Sequence, residues 1–336
     1  MMTPNNNQAK SKANILIATS SVDIINVKIV ADILTERSYN PIIYKGDKVL
    51  RGEHLLSIRL NPRAGLQASY QEHSLSARSI AAAWLRRPNN LFARRTKETE
   101  LRRLNVSSEL AGAQRTLWDM VPHDVWLNAP GAMDRAEQKI TQLDMARRVG
   151  FVIPDTVVSN QWSDIHQLPK GATILKTFRG EAYDERLGTM NQVPTTVFSN
   201  NKKEPLAPGL PFPAIWQPAI PKKREWRITV VGDKSFDTAI YTTKKAKDDW
   251  RVHQFTPDVG FRHEPFPEQE KKKCFHLLKR YGLRYGAFDF IEKPDGTIIF
   301  LEVNSNGQYR WLEELLGLPI SEAIATELIS IAERAR

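Results

Sequence analysis

Cysteine is nearly absent from this chain of 336 residues, with Cys274 the only one. A single cysteine excludes an internal disulfide and the small secreted scaffolds that depend on several, so a reducing compartment, the cytoplasm, is expected. No apolar run approaches the ~20 residues that a bilayer-spanning helix needs. Residues 1–12 are polar and lack the apolar stretch of a signal peptide, and residues 1–13 read as a disordered tail. No glycine fingerprint follows the first apolar strand, which argues against a dinucleotide site there. Paired zinc ligands, the aromatic pattern of RNA-recognition sheets and internal repeats are also missing. Neither a nucleic-acid partner nor a membrane partner is expected.

The composition that remains, 41% hydrophobic and 26% charged, is that of an ordinary globular protein. The length suits two or three packed units. A net charge of +10 favours anionic partners. The basic clusters, such as Arg86-Arg87, Lys222-Lys223-Arg224 and Lys271-Lys272-Lys273, read by default as solvated surface.

An apolar strand at 14–19, an amphipathic helix near 26–37 and a strand at 40–44 make a βαβ opening, so a parallel sheet is expected. A further strand at 80–85 ends in Arg86-Arg87-Pro88. A boundary falls near Asn128-Ala129-Pro130-Gly131, followed by a helix over 134–149 that Gly150 closes. The segment 172–178 reads as a strand leading into Arg179-Gly180, and 199–213 as a long connection. The chain thus divides into an α/β unit (14–128), a central unit (129–213) and a C-terminal unit (214–336).

The most informative stretch lies near the end. Two apolar runs, 286–291 and 297–304, flank Asp295-Gly296, a strong hairpin signal. With Asp295-Gly296 as a two-residue loop, Pro294 pairs with Thr297 and Asp289 lies directly opposite Glu302. Asn304, two residues on, shares their face, while Phe288, Phe290, Leu301 and Val303 point to the other. Two carboxylates facing each other across a strand pair repel and cost stability. A hard divalent cation offsets that cost, and magnesium prefers one or two carboxylates plus substrate phosphates. The alternative is an exposed hairpin face with incidental acids. Under the metal reading, Asp289→Asn and Glu302→Gln each abolish turnover and leave the fold intact or stabilise the metal-free protein.

Lys176 ends an apolar strand, where a lysine ordinarily snorkels to the surface. Its context is broader: Lys139 at a helix start, Lys176, a glycine-containing loop, the bend Gln217-Pro218-Ala219-Ile220, then Glu225-Trp226-Arg227, and finally Asp289, Glu302 and Asn304. This order resembles the ATP-grasp ligases over essentially the whole chain. The resemblance implies an α/β and α+β protein with the ATP-grasp fold, in which two α+β subdomains clamp ATP after an N-terminal α/β domain. By the same resemblance Lys139 and Lys176 contact the phosphates and Gln217 to Ile220 the adenine. Pro218 has no N–H to donate, so the adenine donor is Ala219 or Ile220. Glu225 is implied at the ribose hydroxyls, and Asp289, Glu302 and Asn304 as magnesium ligands.

A narrower likeness is carried by Trp84-Leu85-Arg86-Arg87-Pro88, Leu143-Asp144-Met145-Ala146-Arg147-Arg148-Val149-Gly150, Glu225-Trp226-Arg227-Ile228-Thr229-Val230-Val231-Gly232-Asp233 and Leu301-Glu302-Val303-Asn304-Ser305-Asn306-Gly307-Gln308. These resemble the microviridin-type, or graspetide, peptide maturases. The resemblance implies ATP and Mg2+, a ribosomally made acidic precursor peptide with a leader, a homodimer, and macrocyclic ester or amide bonds formed between side chains. Arg227 and Lys176 are then the catalytic candidates, with Arg227 orienting the substrate carboxylate or acyl phosphate, since a guanidinium forks onto such oxyanions. Arg179 and Arg310 are lesser candidates for the peptide, and ordinary salt bridges are the competing reading for both. Residues 181–198 are either the leader-binding hairpin, with Asp184 or Glu185 meeting a leader arginine, or a mobile loop over the nucleotide. Two other functions stay open: the same chemistry on free amino acids or glutamate, and a basic scaffold without catalysis.

Overall fold

The computed structural model describes residues 13–76, 78–88, 100–165, 168–169, 171–178, 181–184, 189–192, 196–199, 212–245, 250–254 and 256–335. In chain order the elements are β1 (Asn14–Thr19), α1 (Ile24–Glu36), β2 (Asn40–Lys45), α2 (Gly46–Leu50), β3 (Leu56–Asn61), β4 (Gly65–Tyr70), β5 (His73–Leu75), β6 (Ile80–Leu85) and α3 (Glu100–Asp119). Next come α4 (Pro130–Ala136), α5 (Lys139–Val149), β7 (Val157–Ser159), α6 (Trp162–Ile165), β8 (Ala172–Lys176), β9 (Glu181–Asp184), β10 (Thr189–Gln192), β11 (Thr196–Ser199) and β12 (Ala214–Pro218). The last are β13 (Arg224–Val231), β14 (Lys234–Thr242), β15 (Val259–His263), α7 (Glu268–Tyr281), β16 (Tyr285–Glu292), β17 (Ile298–Asn304), α8 (Arg310–Leu316) and α9 (Ile320–Arg334).

Two compact units emerge, one of residues 1–130 with 319–336, the other of residues 131–318. In the first, β1 pairs in parallel with β2 and with β6, as the βαβ pattern implies. The β1 run Ile15 to Ala18 is buried on both faces, which is why it reads as continuously apolar. Helix α9 belongs to this unit and packs on α1 and β6.

The second unit holds a four-stranded sheet, β11-β8-β12-β7, and a five-stranded antiparallel sheet, β15-β14-β13-β16-β17. One face of the five-stranded sheet carries Trp226, Ile228, Phe288, Phe290, Phe300 and Val303, all buried. Helix α7 lays Leu277, Leu278 and Tyr281 toward this core, and the Phe151 ring sits 5.2 Å from that of Phe300. The helix expected over 134–149 is two helices, α4 and α5, because the backbone leaves the helical region at Gln138 (φ −74°, ψ 96°). That break makes Lys139 the first residue of α5.

The hairpin also differs from expectation. Lys293, not Pro294, pairs with Thr297, the Lys293 N–H donating to the Thr297 carbonyl at 2.9 Å. The loop is therefore Pro294-Asp295-Gly296, with Gly296 at φ +84°, the three-residue turn that ends in a left-handed residue. A bulge at Leu301 then shifts the register: Phe290 faces Phe300, yet Asp289 faces Glu302. Leu301 consequently leaves the core face and lines a cleft beside Glu302.

Candidate active site

All described candidate residues lie in the second unit, where Lys139, Gln142, Lys176, Gln217, Leu301 and Glu302 line a narrow cleft. Strand β8 brings in Lys176 at its last position, opposite Ile215 of β12. Lys139 enters from the first turn of α5, its ammonium donating to the Thr177 carbonyl at 3.1 Å. Lys176 makes no ion pair with any described residue within 4.0 Å. Burial depresses its ammonium below the usual lysine value; the Glu302 carboxylate pulls it back up, and Lys139 pushes it down again. Two cations held side by side in a half-buried cleft call for an anion between them.

Arg227 of β13 lies directly opposite Asp289 of β16, which lies directly opposite Glu302 of β17. One guanidinium nitrogen of Arg227, Nη1, donates to both Asp289 oxygens at 2.8 and 2.9 Å. The second, Nη2, reaches the Gln308 carbonyl at 3.2 Å, and the buried Nε has no partner. Arg227 thus offsets the carboxylate repulsion from the Asp289 side. Burial raises the Asp289 carboxyl above its ordinary value; Arg227 works against that shift and Glu302 adds to it. Asn304 stands opposite Ala287, on the same face as Glu302, its Oδ1 accepting from the Asn306 N–H at 2.9 Å. Two carboxylates and a side-chain amide on one face are hard oxygen donors of the kind magnesium takes alongside phosphates and water; of the three, Glu302 lines the cleft, and both Asp289 oxygens accept from Arg227. No cluster of three or more His, Cys, Asp or Glu residues exists among the described residues, so a self-sufficient protein cage does not.

At the hinge, Gln217 is buried, with Nε2 donating to Thr156 Oγ1 at 3.0 Å and Oε1 without a partner. The Ala219 N–H is spent on the Ala172 carbonyl at 2.8 Å, which leaves Ile220 as the candidate adenine donor. Glu225 is buried and paired with Lys222 at 2.8 Å; burial raises its carboxyl, against the pull of Lys222. Arg310 opens α8 and pairs with Glu313 at 2.9 Å and with Glu314 at 3.2 Å, three and four places on along the same helix face. The segment around Asp184 is a β9–β10 hairpin, with Asp184 opposite Thr189. Arg179 and Glu185 lie outside the described residues.

Neither the protein-family models nor the curated proteins contain a match to this sequence. Solved structures do match. The macrocyclase MdnC of Microcystis aeruginosa MRC, bound with precursor peptide MdnA, superposes with a TM-score of 0.80 at 26% identity, over 94% of this chain and 99% of that one. The chain has the ATP-grasp fold. A ribosomal-peptide-associated (RiPP-associated) ATP-grasp ligase of Chryseobacterium gregarium, in complex with ADP and a leader and core peptide, gives 0.80 and 26%, over 94% of this chain and 96% of that one. The macrocyclase MdnB of Microcystis aeruginosa MRC gives 0.75 and 26%, over 94% and 99%.

Near these candidates are residues that the sequence did not single out. Arg251, in a 3-10 turn at Trp250–His253, contributes to the shifts of Lys176, Glu225 and Asp289, burial being the first cause of each. Trp250 beside it packs on Phe261 and Trp311 at 5.6 Å each, which anchors the turn. Gly307 leaves no room for a side chain, since a Cβ there would fall 2.4 Å from the Ala287 Cβ and 2.9 Å from Arg227 Nη2. Its place in Asn304-Ser305-Asn306-Gly307-Gln308 is the signal that a tight approach follows the ligand strand.

Proposed function

We propose that this chain is an ATP-dependent ligase that forms macrocyclic ester or amide bonds between side chains of a ribosomally made precursor peptide. The observation that carries the reading is the meeting of Lys139, Lys176 and Glu302 in one cleft, with Asp289 directly across from Glu302, on a fold shared with peptide macrocyclases over 94% of the chain. Lys139 and Lys176 hold the ATP phosphates. Gln217, with its orphan carbonyl oxygen, and the Ile220 N–H meet the adenine, and Glu225 the ribose. Asp289, Glu302 and Asn304 hold magnesium, which when bound supplies charge neutralisation at the phosphate oxygens.

A peptide carboxylate is a poor electrophile. Its oxygen attacks the γ-phosphorus, ADP leaves, and the acyl phosphate that forms carries a good leaving group. A hydroxyl or amine of the same peptide then attacks the acyl carbon and expels inorganic phosphate. Lys176 and Arg227 stabilise the oxyanions in both steps, and the cleft mainly positions and neutralises, an effect worth several kcal/mol of barrier. The precursor is acidic, in keeping with the +10 charge of the enzyme. Its leader docks on the β9–β10 hairpin near Asp184 and Glu185, its core meets Arg179 and Arg310, and the enzyme acts as a homodimer.

The test is incubation with ATP, magnesium and the short peptide encoded beside the gene, read by mass spectrometry. One water mass is lost per ring. ATP hydrolysis with an unchanged peptide mass overturns the proposal.

A further inference from the structure

Helix α5 opens with Lys139, and one turn later the same face presents Gln142. Gln142 is 2% exposed and carries no charge that could touch ATP. Its carboxamide is spent on a single residue of the facing strand: Oε1 accepts the Val303 N–H at 2.9 Å, and Nε2 donates to the Val303 carbonyl at 2.8 Å. Nε2 also donates to the Ala136 carbonyl at the break before α5. Strand β17 is the outermost of its sheet; its outer edge meets Val152 at one bridge, where the Phe300 N–H donates to the Val152 carbonyl at 2.9 Å, and no strand of the sheet pairs with that edge beyond this point, at Val303. The Gln142 amide stands in for that missing strand at one peptide pair.

Val303 lies between Glu302 and Asn304, and its own side chain is buried on the opposite face. Gripping Val303 by its backbone therefore fixes the main chain from which both candidate metal ligands hang. A second tether stands beside the first. Ser305, 2% exposed, donates from Oγ to Glu137 Oε1 at 2.7 Å. The two contacts straddle Asn304, and both come from residues that flank Lys139 in sequence.

We propose that Gln142 is a positioning residue: it locks the phosphate-binding end of α5 to the metal-binding strand, so that Lys139, Glu302 and Asn304 meet one magnesium nucleotide together. The proposal rests on the ligase reading above. Sites of this kind need their groups held within ~0.5 Å by side chains that are themselves fixed. The Val152 bridge fixes the outer edge of β17 at Phe300, on the far side of the Leu301 bulge from Glu302 and Asn304, and so does not supply that. Glutamine is the residue the task requires. Leucine fills the same space but leaves the Val303 N–H and C=O unpaired, and glutamate has no N–H for the carbonyl.

The test measures magnesium-ADP affinity by calorimetry and the ligand-free melting temperature. It compares the wild type with Gln142→Leu, Ser305→Ala and Cys274→Ala. Cys274 is buried in α7 and is not among the residues that line the cleft, and its truncation controls for general loss of stability. We expect Gln142→Leu to weaken magnesium-ADP binding at least tenfold and metal-free ADP binding less. Ser305→Ala, which removes the hydrogen bond to Glu137 and only a single oxygen atom, weakens magnesium-ADP binding two- to fivefold and keeps the inference testable should Gln142→Leu fail to fold. Cys274→Ala lowers the melting temperature and binds as the wild type does. Wild-type affinity in Gln142→Leu or, if that variant does not fold, in Ser305→Ala overturns the inference, as does an equal loss of affinity in Cys274→Ala. A wild-type protein that binds no magnesium-ADP overturns the ligase reading itself.

Discussion

Asp289 and Glu302 look equivalent as a pair of opposed acids, but their partners differ. Asp289 holds the Arg227 guanidinium, which is 8% exposed, whereas Glu302 faces the cleft and Lys176. Neutralising Asp289 leaves a buried cation without its counter-charge, an effect of about 2–4 kcal/mol when an asparagine oxygen still accepts a hydrogen bond. Neutralising Glu302 relieves a cross-strand repulsion and changes stability by under ~1 kcal/mol in either direction. The expectation that both variants are indifferent or stabilised thus survives only for Glu302. In urea denaturation without metal or nucleotide, Asp289→Asn unfolds at markedly lower urea than the wild type and Glu302→Gln unfolds near it, while neither forms product. Equal midpoints for the two variants would show that Arg227 does not depend on Asp289. The facing of these acids was legible because the Asp295-Gly296 turn signal sets which residues of the two strands lie opposite. The ion pair of Asp289 with Arg227 was not, since it depends on the pairing of strands 62 residues apart in sequence.

At the scale of elements, the hairpin was read correctly at the carboxylates for a reason that was wrong at the turn. A three-residue loop moves the register by one, and the bulge at Leu301 moves it back, so the two departures cancel before Asp289 is reached. Bulges leave little trace in a single sequence, which is why Leu301 was expected in the core. Gln142 was equally silent: a glutamine inside a helix carries no sign of a strand 161 residues away. The far end of the same sheet supplies a stability test. Glu292 accepts from Lys223 at 2.7 Å, Arg224 Nε at 2.6 Å and Trp226 Nε1 at 3.0 Å, tying β16 to β13. Burial pushes the Glu292 carboxyl up, but these donors outweigh it and hold the group below its ordinary value. A carboxyl lowered in the folded state contributes stability above its unfolded value, about 4.3, and loses it as pH falls through the lowered folded value. Urea melts of wild type and Glu292→Gln from pH 7 downward therefore start apart, with the variant weaker, and draw together as pH falls below the unfolded value toward the lowered folded one. Parallel curves would mean that the charge at Glu292 contributes nothing.

For the whole molecule, the informative feature is that the chain returns to its beginning. Residues 319–336 join residues 1–130 rather than the unit they follow, because α9 packs on α1 and β6. The destination of that helix was not legible, since an apolar stripe does not say which core it enters; the sequence placed 214–336 in one unit. Ile320, Ile324, Leu328 and Ile331 of α9 are each at most 2% exposed. Burial of four such side chains contributes ~6–12 kcal/mol, comparable with the entire stability of a typical domain. Surface contacts to Arg37 and Tyr39 add little to that. Ending the chain after Leu318 is therefore expected to unfold the first unit, while every candidate nucleotide and metal residue stays in the second. Limited proteolysis of the truncated protein should degrade residues 1–130 and spare 131–318. Calorimetry should still detect magnesium-ADP, and ring formation should be lost if the first unit is needed to hold the peptide. A truncated chain that resists protease along its whole length would show that α9 is dispensable to that core.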